Sequence, residues 1–156
     1  MSPRESWTGT LPWNPERPDT VVISCVDGRW RPHLLEFTAM RLGVGPNGDF
    51  MAVAGGVEPL TLLDLLPKDF NFFRRRLEAL VEAHGTKRIV LVAHQDCAWY
   101  KSRKLGPFTI DMKGRQVKDL KRAEKHLREM FPGVEVESWY ARHDDGASAK
   151  VVFDPV

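Results

Sequence analysis

Cysteine is scarce in this sequence: Cys25 and Cys97 are the only two in 156 residues. Small secreted scaffolds held together by several disulfides are thereby excluded. Excess charge of one sign is also missing. The net charge is +2, and lysine and arginine are interspersed with aspartate and glutamate, which argues against nucleic acid as a partner. No apolar run nears the roughly 18 residues of a membrane span, so no membrane partner is expected. The opening segment "MSPRESWTGTLPWNPERPD" lacks the apolar core of a secretory signal, and a cytoplasmic location is the expectation. What remains is an ordinary globular composition, 42% hydrophobic and 28% charged, on a chain of single-domain length.

Residues 1–19 hold Pro3, Pro12, Pro15 and Pro18 together with Trp7 and Trp13. They read as an extended arm whose tryptophans dock on its own domain or on a partner subunit. Residues 20–156 read as one domain in which strand and helix signals alternate. "TVVIS" and "DFMAVAGG" are short apolar runs of the kind buried on both faces of a parallel sheet. "RPHLLEFTAMRLG" between them is helical, with Pro32 suited to a first turn and Gly43 to a stop. "EPLTLLDLLP" is expected to be a short helix closed by Pro67. "FNFFRRRLEALVEAHG" places Phe73, Leu77, Leu80, Val81 and His84 on one stripe, with Gly85 as C-cap. "KRIVLVAH" is the clearest strand, "QVKDLKRAEKHLREMF" is helical, and "VEVESWYA" and "AKVVFD" close the chain as a hairpin. Such alternation predicts an α/β domain: a mainly parallel sheet of about five strands, one antiparallel edge strand, and helices on both faces.

The chemistry-bearing residues stand at strand ends. Cys25 closes the first strand, within "SCVDGRW"; His94 and Cys97 close "KRIVLVAH" in the run "HQDC". In open α/β sheets the binding crevice lies beyond the carboxyl ends of the strands, where strand order reverses. Neighbouring strands would bring all three side chains there. Two buried core thiols or a redox pair are alternative readings of the cysteines, but neither accounts for Asp27, Arg29 and His94 beside them. Two thiolates and an imidazole suit zinc over magnesium or calcium and leave a fourth position open.

"CVDGR" at 25–29 followed by "HQDC" at 94–97 resembles the paired C-x-D-x-R and H-x-x-C motifs of the β-class carbonic anhydrases. "AVAGG" at 52–56 lies where that family carries a glycine-containing R-N-A-G segment, and the resemblance covers roughly residues 19–155. It implies zinc held by Cys25, His94 and Cys97, with Asp27 and Arg29 as a catalytic dyad. It further implies reversible hydration of CO2 to bicarbonate by metal-bound hydroxide. Asp27 is a candidate fourth ligand in a closed state, and Gly55 and Gly56 are candidate substrate-binding positions. Family enzymes generally work as dimers, so at least a homodimer is implied.

Departures from the family pattern bear on the substrate. Ala52 and Val53 stand where the family has Arg and Asn, and Ala98, Trp99 and Tyr100 follow the second cysteine in place of a glycine. Glu16 occupies the offset of a glutamine that donates to substrate in many members. An apolar wall suits CO2 and equally carbonyl sulfide or carbon disulfide. A hydrolase of those sulfur compounds is therefore the second reading, and a zinc-binding protein without turnover the third.

Overall fold

The computed structural model describes residues 6–45, 48–61, 66–102, 111–144, 146 and 149–156. Five strands form one sheet in the order β2-β1-β3-β4-β5. They are β1 (Thr20–Cys25), β2 (Asp49–Val53), β3 (Arg88–His94), β4 (Glu135–His143) and β5 (Val151–Pro155). Three ladders are parallel and the β4–β5 pair is antiparallel. This is the mainly parallel sheet with one antiparallel edge that the alternating signals predict.

Helices cover both faces. α1 (Arg31–Met40) seats Leu34 on one face, against Val22, Val90 and Val92. α2 (Pro67–His84) and α4 (Met112–Met130) cover the other with Phe73, Leu77, Leu120, Ala123 and Leu127, against Val21, Ile23, Ile89 and Leu91. Alternate residues of β1 and β3 thus enter opposite cores, which is why these strands read as unbroken apolar runs. β2 differs: every residue of it is half-buried, because it lies at the edge of the sheet with β1 as its single neighbour.

Local signals fix several helix ends. Gly85 caps α2 in the left-handed region at φ 64°. The Asp111 carboxylate accepts the Gly114 N–H at 2.9 Å and caps α4. Pro67 corrects one expectation. It opens α2 instead of closing the preceding helix, because the ring's fixed φ suits a first turn and the missing N–H costs nothing there. Of that expected helix, Glu58–Thr61 forms one 3-10 turn, and 62–65 lie outside the described residues. A five-residue helix, α3 (Ala98–Ser102), follows Cys97 and had no periodic signal.

Within the arm, residues 6–18 form neither helix nor strand, and Trp7 and Trp13 are 85% and 88% exposed. The Arg17 guanidinium donates to the Ala83 carbonyl at 2.7 Å, tying the arm's end to α2. No helix among the described residues is long and apolar enough to cross a membrane.

Leu120 is fully buried where α4 meets the sheet. Leu120→Ala is expected to cost about 2–5 kcal/mol of stability. A urea titration checks this, with the midpoint falling and the slope unchanged.

Candidate metal centre

Chain order creates the crevice. From β1 the chain moves to β2 on one side, then returns to β3 on the other, so β1 and β3 flank the point where strand order reverses. Ser24 pairs with Val92, so Cys25 and His94 leave the sheet at the same edge. Cys97 follows one tight turn later. Asp96 in that turn adopts φ 62°, a conformation that aspartate tolerates better than most residues.

Ligand atoms of Cys25, His94 and Cys97 all lie within 4.8 Å of one another, the only such group among the described residues. The two sulfurs are 3.8 Å apart. Two zinc–sulfur bonds of about 2.3 Å at a tetrahedral angle separate their sulfurs by roughly the same distance. His94 is buried, and its Nδ1 lies 2.7 Å from the Gln95 carbonyl oxygen. A carbonyl only accepts, so Nδ1 carries the proton and Nε2 keeps its lone pair. That Nε2 is buried and has no partner of hydrogen-bond geometry. A buried acceptor left unpaired is destabilising, and a metal ion is the partner its chemistry suits. The residues present therefore fit zinc.

Backbone donors prepare both sulfurs. The N–H groups of Asp27 and Gly55 favour the Cys25 thiolate, and those of Tyr100 and Trp99, in the first turn of α3, favour that of Cys97. Without metal the sulfurs share one hydrogen bond, so they ionise unequally. The Cys97 thiol's hydrogen bond holds Cys25 well below the ordinary thiol range despite burial. Losing the remaining proton would put two thiolates together, so the bond to Cys25 and burial push Cys97 up.

Asp27 and Arg29 stand on the rim. Arg29 donates to the Asp27 carboxylate from Nη2 at 2.6 Å, from Nε at 3.1 and 3.2 Å, and from its backbone N–H at 3.0 Å. These bonds hold the Asp27 carboxyl down at about 2. Asp27 therefore lies on Arg29 and outside the three-ligand group. Gly55 and Gly56 have φ values of 80° and 60°. A Cβ on Gly55 would collide with the Trp99 indole, and one on Gly56 would meet the Cys25 nitrogen at 3.0 Å. Their lack of side chains thus lets the segment after β2 pass beneath the cluster.

Several neighbours of the cluster escaped the sequence reading. Trp30 packs its ring 5.0 Å from that of His94. Gln116, buried on α4, donates to the His94 backbone carbonyl at 2.9 Å. The Trp99 indole N–H donates to the buried Glu58 carboxylate at 2.9 Å. Gln116 did carry a signal: a polar residue in helical register with Leu120, Ala123 and Leu127. Trp30 and Glu58 had none, since their partners are distant in sequence.

Metal binding should displace the proton that the sulfur pair retains, because cysteine ligates as thiolate. Calorimetry at pH 8 in buffers of different ionisation enthalpy is expected to show about one proton released per zinc bound. Release of two would mean that both thiols are protonated beforehand. Cys97→Ser should weaken zinc binding by more than the roughly 10–100-fold that follows loss of a mere outer partner.

A family model described as "Putative carbonic anhydrase" matches residues 16–152. No curated protein matches the chain. Among solved structures, the carbonic anhydrase from Streptococcus mutans aligns with a TM-score of 0.54 at 16% identity, covering 94% of this chain and 87% of that one. Carbonic anhydrase from Glaciozyma antarctica aligns at 0.53 and 17% identity, covering 93% and 86%. β-Carbonic anhydrase isoform I of Trichomonas vaginalis gives 0.53 at 15% identity, with 93% and 87% covered. At such identities the structural likeness speaks for the fold, and the family match speaks for descent. With that match spanning most of its length and this sheet order beneath it, the chain belongs to the β-carbonic anhydrase family.

Proposed function

We propose that this protein is a zinc lyase, of the carbonate dehydratase type, that interconverts CO2 and bicarbonate. The observation that carries the reading is the convergence of two sulfurs and an unpartnered imidazole nitrogen, with a carboxylate held by a guanidinium two residues after the first cysteine. Cys25, His94 and Cys97 would hold the ion. Zinc, when bound, lowers the pKa of water and so supplies a nucleophile near neutral pH. Two thiolates give the ion more charge than imidazoles would, so this acidification is expected to be weaker than at an all-histidine site.

Asp27 then acts as a hydrogen-bond acceptor that orients the attacking water toward the carbon of CO2. Its carboxylate stays ionised at every working pH, because Arg29 holds it at about 2. Arg29 is the catalytic partner that keeps this acceptor in place. Released from Arg29, the same carboxylate is the candidate fourth ligand of a closed state. Gly55 and Gly56 bring backbone, with no side chain, to the side of the site where substrate would rest.

A second reading has one observation in its favour. Trp30, Leu34, Val92, Ala141 and Phe153 line a small cavity together with Cys25 and His94, so an apolar wall stands next to the cluster. Such a wall accepts carbonyl sulfide or carbon disulfide as readily as CO2. Exposure of Trp7 and Trp13 on an arm of residues 1–19 supports at least a homodimer, with the arm packed on the partner subunit.

Stopped-flow CO2 hydration on protein with measured zinc content tests the reading. Fast hydration is expected, with Asp27→Ala lowering kcat/KM by about 100-fold or more, the scale for a positioned proton-handling group. Zinc without hydration shifts the assignment to the sulfur compounds, decided by a carbonyl sulfide assay. For assembly, sedimentation at micromolar concentration should give at least twice the chain mass of 17.8 kDa.

A further inference from the structure

Arg29 is not held by burial, since its side chain is 62% exposed. An exposed arginine paired with a carboxylate two residues away keeps much rotamer freedom, and such pairs contribute little. Yet this guanidinium has to stay still if Asp27 is to point one way. The rest of its hydrogen bonds explain how. Nη1 donates to the Asp96 Oδ2 and Nη2 to the Asp96 backbone carbonyl, both at 3.4 Å. The guanidinium is therefore gripped along one edge by Asp27 and along another by Asp96.

Asp96 is well placed for this because of its strained backbone. It sits between His94 and Cys97, and its φ of 62° belongs to the turn that carries its carbonyl and carboxylate to Arg29. Its other carboxylate oxygen pairs with Lys101 Nζ on α3. Charges alternate along this line: Lys101, Asp96, Arg29, Asp27. The line joins the loop after β1 to the loop after β3 across the mouth of the metal cluster.

We propose that Asp96 is a positioning residue: it fixes Arg29 and, through Arg29, the Asp27 carboxylate beside the Cys25–His94–Cys97 group. This rests on the reading of Asp27 as the group that orients water. Asp96 itself touches neither substrate nor metal. Its effect travels through the guanidinium, and it should vanish when the guanidinium is removed.

The left-handed turn permits a clean deletion. Asp96→Gly adopts positive φ without strain and keeps the backbone carbonyl, so only the carboxylate is lost. Asp96→Asn keeps the turn and one acceptor oxygen, and serves if the glycine variant does not fold. Nitrogen-15 NMR of the zinc-loaded full chain reads the grip directly. Restricted rotation of the Arg29 guanidinium should give separate Nη signals in the wild type, merged signals in Asp96→Gly, and broadened ones in Asp96→Asn. Zinc content should be unchanged.

Hydration kinetics supply the second arm. Asp96→Gly is expected to lower kcat/KM roughly 10- to 100-fold, the scale of a small misplacement of catalytic groups. In an Arg29→Ala background the same change should cost nothing further. Unchanged Arg29 signals in both Asp96 variants, or an equal loss with and without Arg29, would overturn the proposal. A wild type that does not hydrate CO2 refutes the enzymatic reading, while the NMR arm still decides whether Asp96 holds Arg29.

Discussion

Ser24 faces Val92 in the parallel ladder between β1 and β3, and the whole candidate metal centre depends on that register. The two strands are each buried on both faces, so a slip of one residue would exchange Val21 and Ile23 with Val22 and Ser24 between the two cores. Packing therefore locks the register far more firmly than hydrogen bonding alone. Since Cys25 ends one strand and His94 the other, the same lock sets the distance between a sulfur and an imidazole about seventy residues apart. Reversal of strand order around β1 opens the crevice into which both side chains project.

Around that crevice the fold divides its polar work by depth. Below the rim, His94 and Cys97 are buried and oriented by backbone: the Gln95 carbonyl accepts from the ring Nδ1, α3 N–H groups favour the sulfur, and the ring Nε2 is left without a partner. Gln116 reaches in from α4 to the His94 carbonyl, so the helix that covers the main core also steadies the end of β3. At the rim, Asp27, Arg29, Asp96 and Lys101 are partly exposed and hold one another by charge. Buried neutral partners give these side chains rigidity, whereas the charged rim leaves Asp27 in partial contact with solvent.

Much of this was legible in the residues. Unbroken apolar runs located the strands, helical periodicity located α2 and α4, and Gly85 marked a real C-cap. The ligand group was legible because both cysteines of the chain stand at strand ends, one with a carboxylate and guanidinium beside it and the other with a histidine three residues before it. Pro67 misled, since proline both follows one helix and opens the next, and only the backbone path distinguishes the two. α3 was hidden because five residues are too few to display a period. β2 read as a strand buried on both faces because its composition does not reveal that it stands first in the sheet order.

By itself, then, the sequence determined which residues could bind a soft metal and which elements would carry them, because periodicity and side-chain chemistry are local properties. Tertiary structure decided how those residues meet. Only the packed sheet places the sulfurs 3.8 Å apart, leaves His94 Nε2 unpartnered, and sets Trp99 over Gly55. Only the folded loops bring Asp96 to Arg29, across a separation of 67 residues. Such contacts depend on the register of distant strands and the path of a turn with positive φ, which no neighbouring stretch of sequence encodes.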